Sequence, residues 1–148
     1  MQIRGKSVLV AMLMCTAAPP AIAADRAKTA MSCAAAGADF AYECTLEVTN
    51  ARTGAPIDGA KIVLGADMPS MPMVHNVPPV EFEAGGKPGH YKAKIQLDMR
   101  GAWAIRLRIT GPLRDEVVNV YEFSETDATL RGRASSAPAK AKSGHHRH

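Results

Sequence analysis

From Phe40 to Glu125 apolar and polar residues alternate in short runs divided by turn residues. Tyr42, Cys44, Leu46 and Val48 fall on one side of an extended chain, with Glu43, Thr45, Glu47 and Thr49 on the other. A period of two marks a half-buried strand. Thr53-Gly54-Ala55-Pro56 and Asp58-Gly59 are turn signals, Lys61 to Leu64 form a second strand, and Gly65 ends it. Val80 to Glu83 form a short strand before the turns Gly85-Gly86 and Pro88-Gly89. Tyr91, Ala93, Ile95 and Leu97 alternate with Lys92, Lys94, Gln96 and Asp98, and Trp103, Ile105, Leu107 and Ile109 with Ala104, Arg106 and Arg108. Gly111-Pro112 turns the chain into a last strand, Val117 to Phe123. Strands at this spacing predict an all-β domain, an immunoglobulin-like β-sandwich of about seven short strands with Trp103 anchoring its core.

The flanks follow other rules, and the chain divides into 1–23, 24–39, 40–125 and 126–148. Arg4 and Lys6, the apolar run Val8 to Met14, the helix-breaking Pro19-Pro20 and the Ala21-Ile22-Ala23 cleavage pattern predict a secretory signal peptide, with the mature chain starting at Ala24. Cys15 stands in a poor lipobox, because Met14 is not small. No later apolar run reaches the ~20 residues of a membrane span, so the expectation is a periplasmic protein with no stable membrane insertion after cleavage. The Ala-rich stretch Cys33 to Ala38 predicts a turn of helix or no regular structure. Residues 126–148, dominated from Leu130 by Arg, Gly, Ala, Ser, Pro and Lys, predict a disordered tail. Its end, with His145, His146 and His148, offers imidazoles to Cu(II), Zn(II) or Ni(II).

Charge follows this division. The chain carries 18 Lys and Arg against 14 Asp and Glu. Two of the cations lie in the signal region and five in the tail; taking those seven from 18 leaves 11 against 14, a net of −3 for the rest. The basic balance therefore belongs to the ends and gives no support to nucleic-acid binding. With Cys15 in the signal region, Cys33 and Cys44 remain as a pair, which in an oxidising compartment reads as a disulfide stapling the N-terminal segment to the first core strand.

The candidate chemistry sits in Met68-Pro69-Ser70-Met71-Pro72-Met73-Val74-His75. Thioethers are soft donors that select Cu(I), and they serve where free thiols would be oxidised. Methionine is also a common core filler, so packing is the competing reading. Pro69 and Pro72 predict an extended segment in which Met71, Met73 and His75 project to one side, with Met68 reaching from the preceding turn. Met99, just before Gly101, is a further candidate ligand. The chain has no Gly-x-Ser-x-Gly elbow, P-loop, dinucleotide fingerprint or heme-attachment motif, and no enzymatic activity is expected.

Gly54-Ala55-Pro56-Ile57-Asp58-Gly59-Ala60, the Met-rich run 68–73, Gly89-His90-Tyr91 and Met99-Arg100-Gly101-Ala102-Trp103 occur in this order. The set resembles the YtkA-like (FixH-like) domain family over about Leu46 to Ile109. The resemblance implies an immunoglobulin-like domain outside the cytoplasmic membrane, in a family often associated with copper handling or the assembly of respiratory oxidases. FixH-type members carry an N-terminal transmembrane helix, where this chain has a cleavable signal. Two functions are therefore expected to compete. One is a copper-handling protein with an exchangeable Cu(I) site on the Met loop, aiding maturation of an oxidoreductase. The other is an interaction module whose Met loop contacts a periplasmic oxidoreductase, cytochrome or transporter component.

Overall fold

A computed structural model describes residues 24–37, 39–75 and 77–133. The signal peptide expected over 1–23 and residues 134–148 of the tail expected over 126–148 lie outside the described residues.

Among the described residues nine strands form one antiparallel sheet: β1 (Ala27–Ala35), β2 (Ala41–Asn50), β3 (Lys61–Asp67), β4 (Val80–Glu81), β5 (Glu83–Ala84), β6 (His90–Gln96), β7 (Gly101–Thr110), β8 (Asp115–Phe123) and β9 (Asp127–Arg133). The alternation translates directly into burial. Tyr42, Cys44, Leu46 and Val48 of β2 and Trp103, Ile105, Leu107 and Ile109 of β7 are all buried, while Glu43, Thr45, Glu47, Arg106 and Arg108 face out. Each large apolar side chain so buried contributes about 1.5–3 kcal/mol. Trp103 is fully buried, as expected, and its indole Nε1 donates to the Met99 carbonyl at 3.1 Å.

Neighbours run β4-β3-β7-β8-β9-β1-β2-β6-β5 across the sheet. Its two outermost strands are consecutive in sequence, joined only by Phe82. Val80 pairs with Leu64 of β3 and Ala84 with Tyr91 of β6, so one bent run of chain belongs to both edges and the sheet is nearly closed. Phe82 sits at the bend, buried, with its backbone N–H on the Ile62 carbonyl at 2.9 Å. Pro78 and Pro79 precede this run and offer no N–H, which keeps the pairing with β3 short.

Two of these strands differ from expectation. The stretch Cys33 to Ala38, expected as a helical turn or irregular chain, is strand as far as Ala35 and irregular at Ala36 and Gly37: β1 pairs with β2 from Ala27↔Asn50 to Ala35↔Tyr42. Ala27, Met31 and Cys33 alternate into the core with polar or small residues between them. Small side chains gave this strand a weak hydrophobic contrast, and its pairing partner supplies the stability. Cys33 faces Cys44 directly, Cα atoms 4.0 Å apart, and the two form the expected disulfide. At the other end, β9 carries the fold to Arg133, past the position 126 at which a tail was expected to start. It pairs with β8 from Phe123↔Ala128 to Asn119↔Arg133, with a bulge at Val120/Tyr121. Basic, Gly-containing composition hid a strand that lies between β8 and β1 and is held by backbone pairing with both.

The long connections decide where chemistry is displayed. The end of β3 lies beside the start of β7, through Asp67↔Ala104. The end of β6 lies beside the start of β2, through Ala41↔Gln96. The 68–79 loop leaves β3 at this end, and the 97–100 connection crosses to β7 there.

Candidate metal-binding loop

The loop begins with two successive β-turns. The Met71 N–H bonds the Met68 carbonyl at 3.0 Å, and the Val74 N–H bonds the Met71 carbonyl at 3.4 Å. Pro69 and Pro72 each occupy the second position of a turn, where a fixed φ near −65° is pre-set for it. Met73 takes the third position of the second turn with φ 66°, a left-handed conformation that non-glycine residues rarely adopt. The extended segment predicted from the two prolines is therefore wrong. The prolines set turns, and Met71, Met73 and His75 do not project as an alternating row. The three-residue spacing of Met-Pro pairs was the sequence signal for this.

The proposed ligands divide into fixed and free. Met68 is buried, 3% exposed, and packs toward the start of β7: its methyl would lie 3.6 Å from a Cβ placed on Gly101. Met71 and Met99 are each 37% exposed, and Met73 is 96% exposed at the loop tip beside Val74 at 68%. His75 folds back onto the barrel end. Its Nδ1 bonds Asp98 Oδ2 at 3.1 Å, and its ring meets Trp103 edge-on at 5.3 Å between centroids. The side chain is only 13% exposed. Its Nε2 is buried, with no hydrogen-bond partner among the described residues.

Three of the five candidates are thus anchored by contacts at this end of the sheet. Met68 packs beside Gly101, His75 rests on Asp98 and Trp103, and the Met99 carbonyl holds the Trp103 indole. Met71 and Met73 stand on the exposed turns next to them. Asp98 was not among the sequence candidates; it lies 23 residues from His75, and no local pattern links the two. Arg100, two residues beyond, is directed elsewhere, to Glu125 at 3.1 Å and over the Phe40 ring at 5.3 Å. Among the described residues no three His, Cys, Asp or Glu side chains converge, so the donors at this end are mainly thioethers and one imidazole. Nor is any described helix long and apolar enough to cross a membrane.

A nearly closed antiparallel β-domain bearing a Met-Pro-Met loop and a tethered histidine at one end defines the class. Residues 40–108, a little under half of the chain, match the family described as YtkA-like. The match runs from β2 through most of β7 and includes both the Met loop and Met99; β1, β8 and β9 lie beyond it. No curated protein and no solved structure matches the chain.

Proposed function

We propose that this is a non-enzymatic, periplasmic copper-handling protein that holds Cu(I) exchangeably on the Met68–His75 loop, with Met99 alongside. The observation that carries the reading is that buried Met68, tethered His75 and half-exposed Met99 lie on the two loops at one end of the sheet, with the exposed thioethers Met71 and Met73 on the same loop as His75. Three or four soft neutral donors suit a monovalent soft ion better than Zn(II) or Mg(II). A site whose outer ligands are exposed exchanges its ion with a partner, which suits delivery to an oxidoreductase under maturation. The Cys33–Cys44 disulfide fits an exported, oxidising location reached through the signal at 1–23. The immunoglobulin-like description belongs to the same proposal. Its support is that β2 and β8, three steps apart in the sheet, face one another through Tyr42 and Phe123 at 4.9 Å between ring centroids.

One observation favours the alternative of an interaction module. Met73 and Val74 form an exposed apolar tip, and such tips often mark contact with a partner protein. Replacing Met71, Met73 and Met99 with leucine separates the readings, because apolar bulk stays and sulfur goes. Copper handling requires Cu(I) binding to be lost while the fold is kept. Retained capture of a periplasmic partner by the same variant, with no Cu(I) bound by the wild type, would instead favour the module.

A further inference from the structure

His75 presents an unusual combination. One ring nitrogen is fixed by a carboxylate, and the other is buried without a partner among the described residues. A carboxylate oxygen only accepts hydrogen bonds, so Nδ1 must carry the hydrogen in the 3.1 Å contact with Asp98 Oδ2. In the neutral ring this leaves Nε2 as a bare lone pair. The Trp103 ring, edge-on at 5.3 Å and fully buried, restricts the imidazole from the side. A bare imidazole nitrogen shielded from water is costly unless something occupies its lone pair. Carboxylate, imidazole and metal in series is the arrangement by which proteins orient a metal-binding histidine and raise its basicity.

We infer that Asp98 is the positioning residue of the site: it fixes the His75 tautomer so that Nε2 is the imidazole ligand, and it supplies the single negative charge that balances a monovalent soft cation. This rests on the copper reading above and deepens it. The thioethers of Met68, Met71, Met73 and Met99 and the neutral imidazole bring no charge. Arg100 is paired with Glu125, so the Asp98 carboxylate behind the ring is the charge nearest to it in the described contacts. One carboxylate neutralises a +1 ion and leaves a +2 ion half compensated. The site therefore discriminates by charge as well as by softness, taking Cu(I) or Ag(I) and rejecting Zn(II).

The experiment is nitrogen NMR on the full chain with 15N-labelled histidine and 13C-labelled methionine methyls, using Ag(I) as a redox-inert probe. His75 signals are assigned by their loss in His75→Gln. Without metal, the expected pattern is a pyrrole-type Nδ1 and a pyridine-type Nε2. One equivalent of Ag(I) should move Nε2 and leave Nδ1 in place, and Zn(II) should move neither. Asp98→Asn retains a carbonyl acceptor, so it should keep the tautomer but bind Ag(I) about 10–100-fold more weakly. Asp98→Ala should lose the tautomer preference as well. A protonated Nε2 in the wild type, a shift of Nε2 by Zn(II), or equal Ag(I) affinity in Asp98→Asn would overturn the inference. If Ag(I) moves the methionine methyls but not Nε2, the inference fails and the copper reading stands. If it moves neither, both fall.

Discussion

The β1–β2 hairpin and the 68–79 loop are held by opposite means. The hairpin is fixed along its whole length: nine register pairs join its strands, and a disulfide crosses between them. Its far edge is tied down as well. Asp115 accepts from the Ala27 N–H at 2.8 Å and pairs with Arg26 at 3.2 Å. The loop is fixed only at intervals, by Met68 and Val77 buried at either side and by His75 on Asp98. Between these anchors Met71, Met73 and Val74 stand exposed, and Met73 adopts a backbone conformation unfavourable to its side chain. A segment that closes every contact on itself has nothing left to exchange. A segment anchored at intervals keeps its side chains near one place and accessible, as the proposed exchange of copper requires.

Removing the staple should show how independent the two regions are. Cys33→Ser/Cys44→Ser is expected to destabilise the fold by about 3 kcal/mol in urea titrations. Cu(I) affinity, measured well below the unfolding transition, should stay the same. A matching loss of affinity would show that the hairpin governs the loop. Trp103→Phe attacks the other region from inside. It keeps an aromatic ring but leaves the Met99 carbonyl without its donor and His75 with a smaller neighbour. About 1–2 kcal/mol of stability should go, and here Cu(I) binding should weaken along with it.

Met73→Gly is a smaller and sharper test. Glycine accepts φ 66° without strain, so stability should hold or rise by up to about 1 kcal/mol while one thioether is lost. Unfolding curves and Cu(I) competition should therefore move in opposite directions. The least effect is expected on the hairpin side, at alkaline pH. Burial raises the Tyr121 phenol above 10.0, the hydrogen bonds from Asn119 and the Met31 backbone opposing that rise. Above about pH 10 the unfolded chain releases a proton that the folded chain retains, so stability falls as pH climbs toward the raised value. Below pH 10 the contribution is constant. Tyr121→Phe should flatten that alkaline decline in a pH series of melting curves.

Much of the fold was legible because its strands are amphipathic. Trp103 to Ile109 and Tyr42 to Val48 reveal their buried face by period alone, and Cys33 and Cys44 read as a pair once export is expected. β1 and β9 were not legible for a different reason in each. In β1 the inward residues Ala27 and Cys33 are small, so the hydrophobic contrast is slight. In β9 the single large apolar residue, Leu130, is 60% exposed, so the strand exists through backbone pairing that composition does not record. At the loop, the sequence names candidate donors but not their geometry. Pro69 and Pro72 were compatible with both extension and turns, and the Met68 and Met71 carbonyls decide for turns. Asp98 was out of reach, because its contact with His75 is created by bringing two loops to one end of the sheet.

The most direct measurement is a Cu(I) competition titration of the chain ending at Arg133, which retains all nine strands and excludes the terminal histidines, against its Met71→Leu/Met73→Leu/Met99→Leu variant. Copper handling by the loop requires one Cu(I) bound tightly by the first protein and at least about 100-fold more weakly by the second, a difference of about 2.7 kcal/mol. Equal binding in both, or none in either, would contradict it.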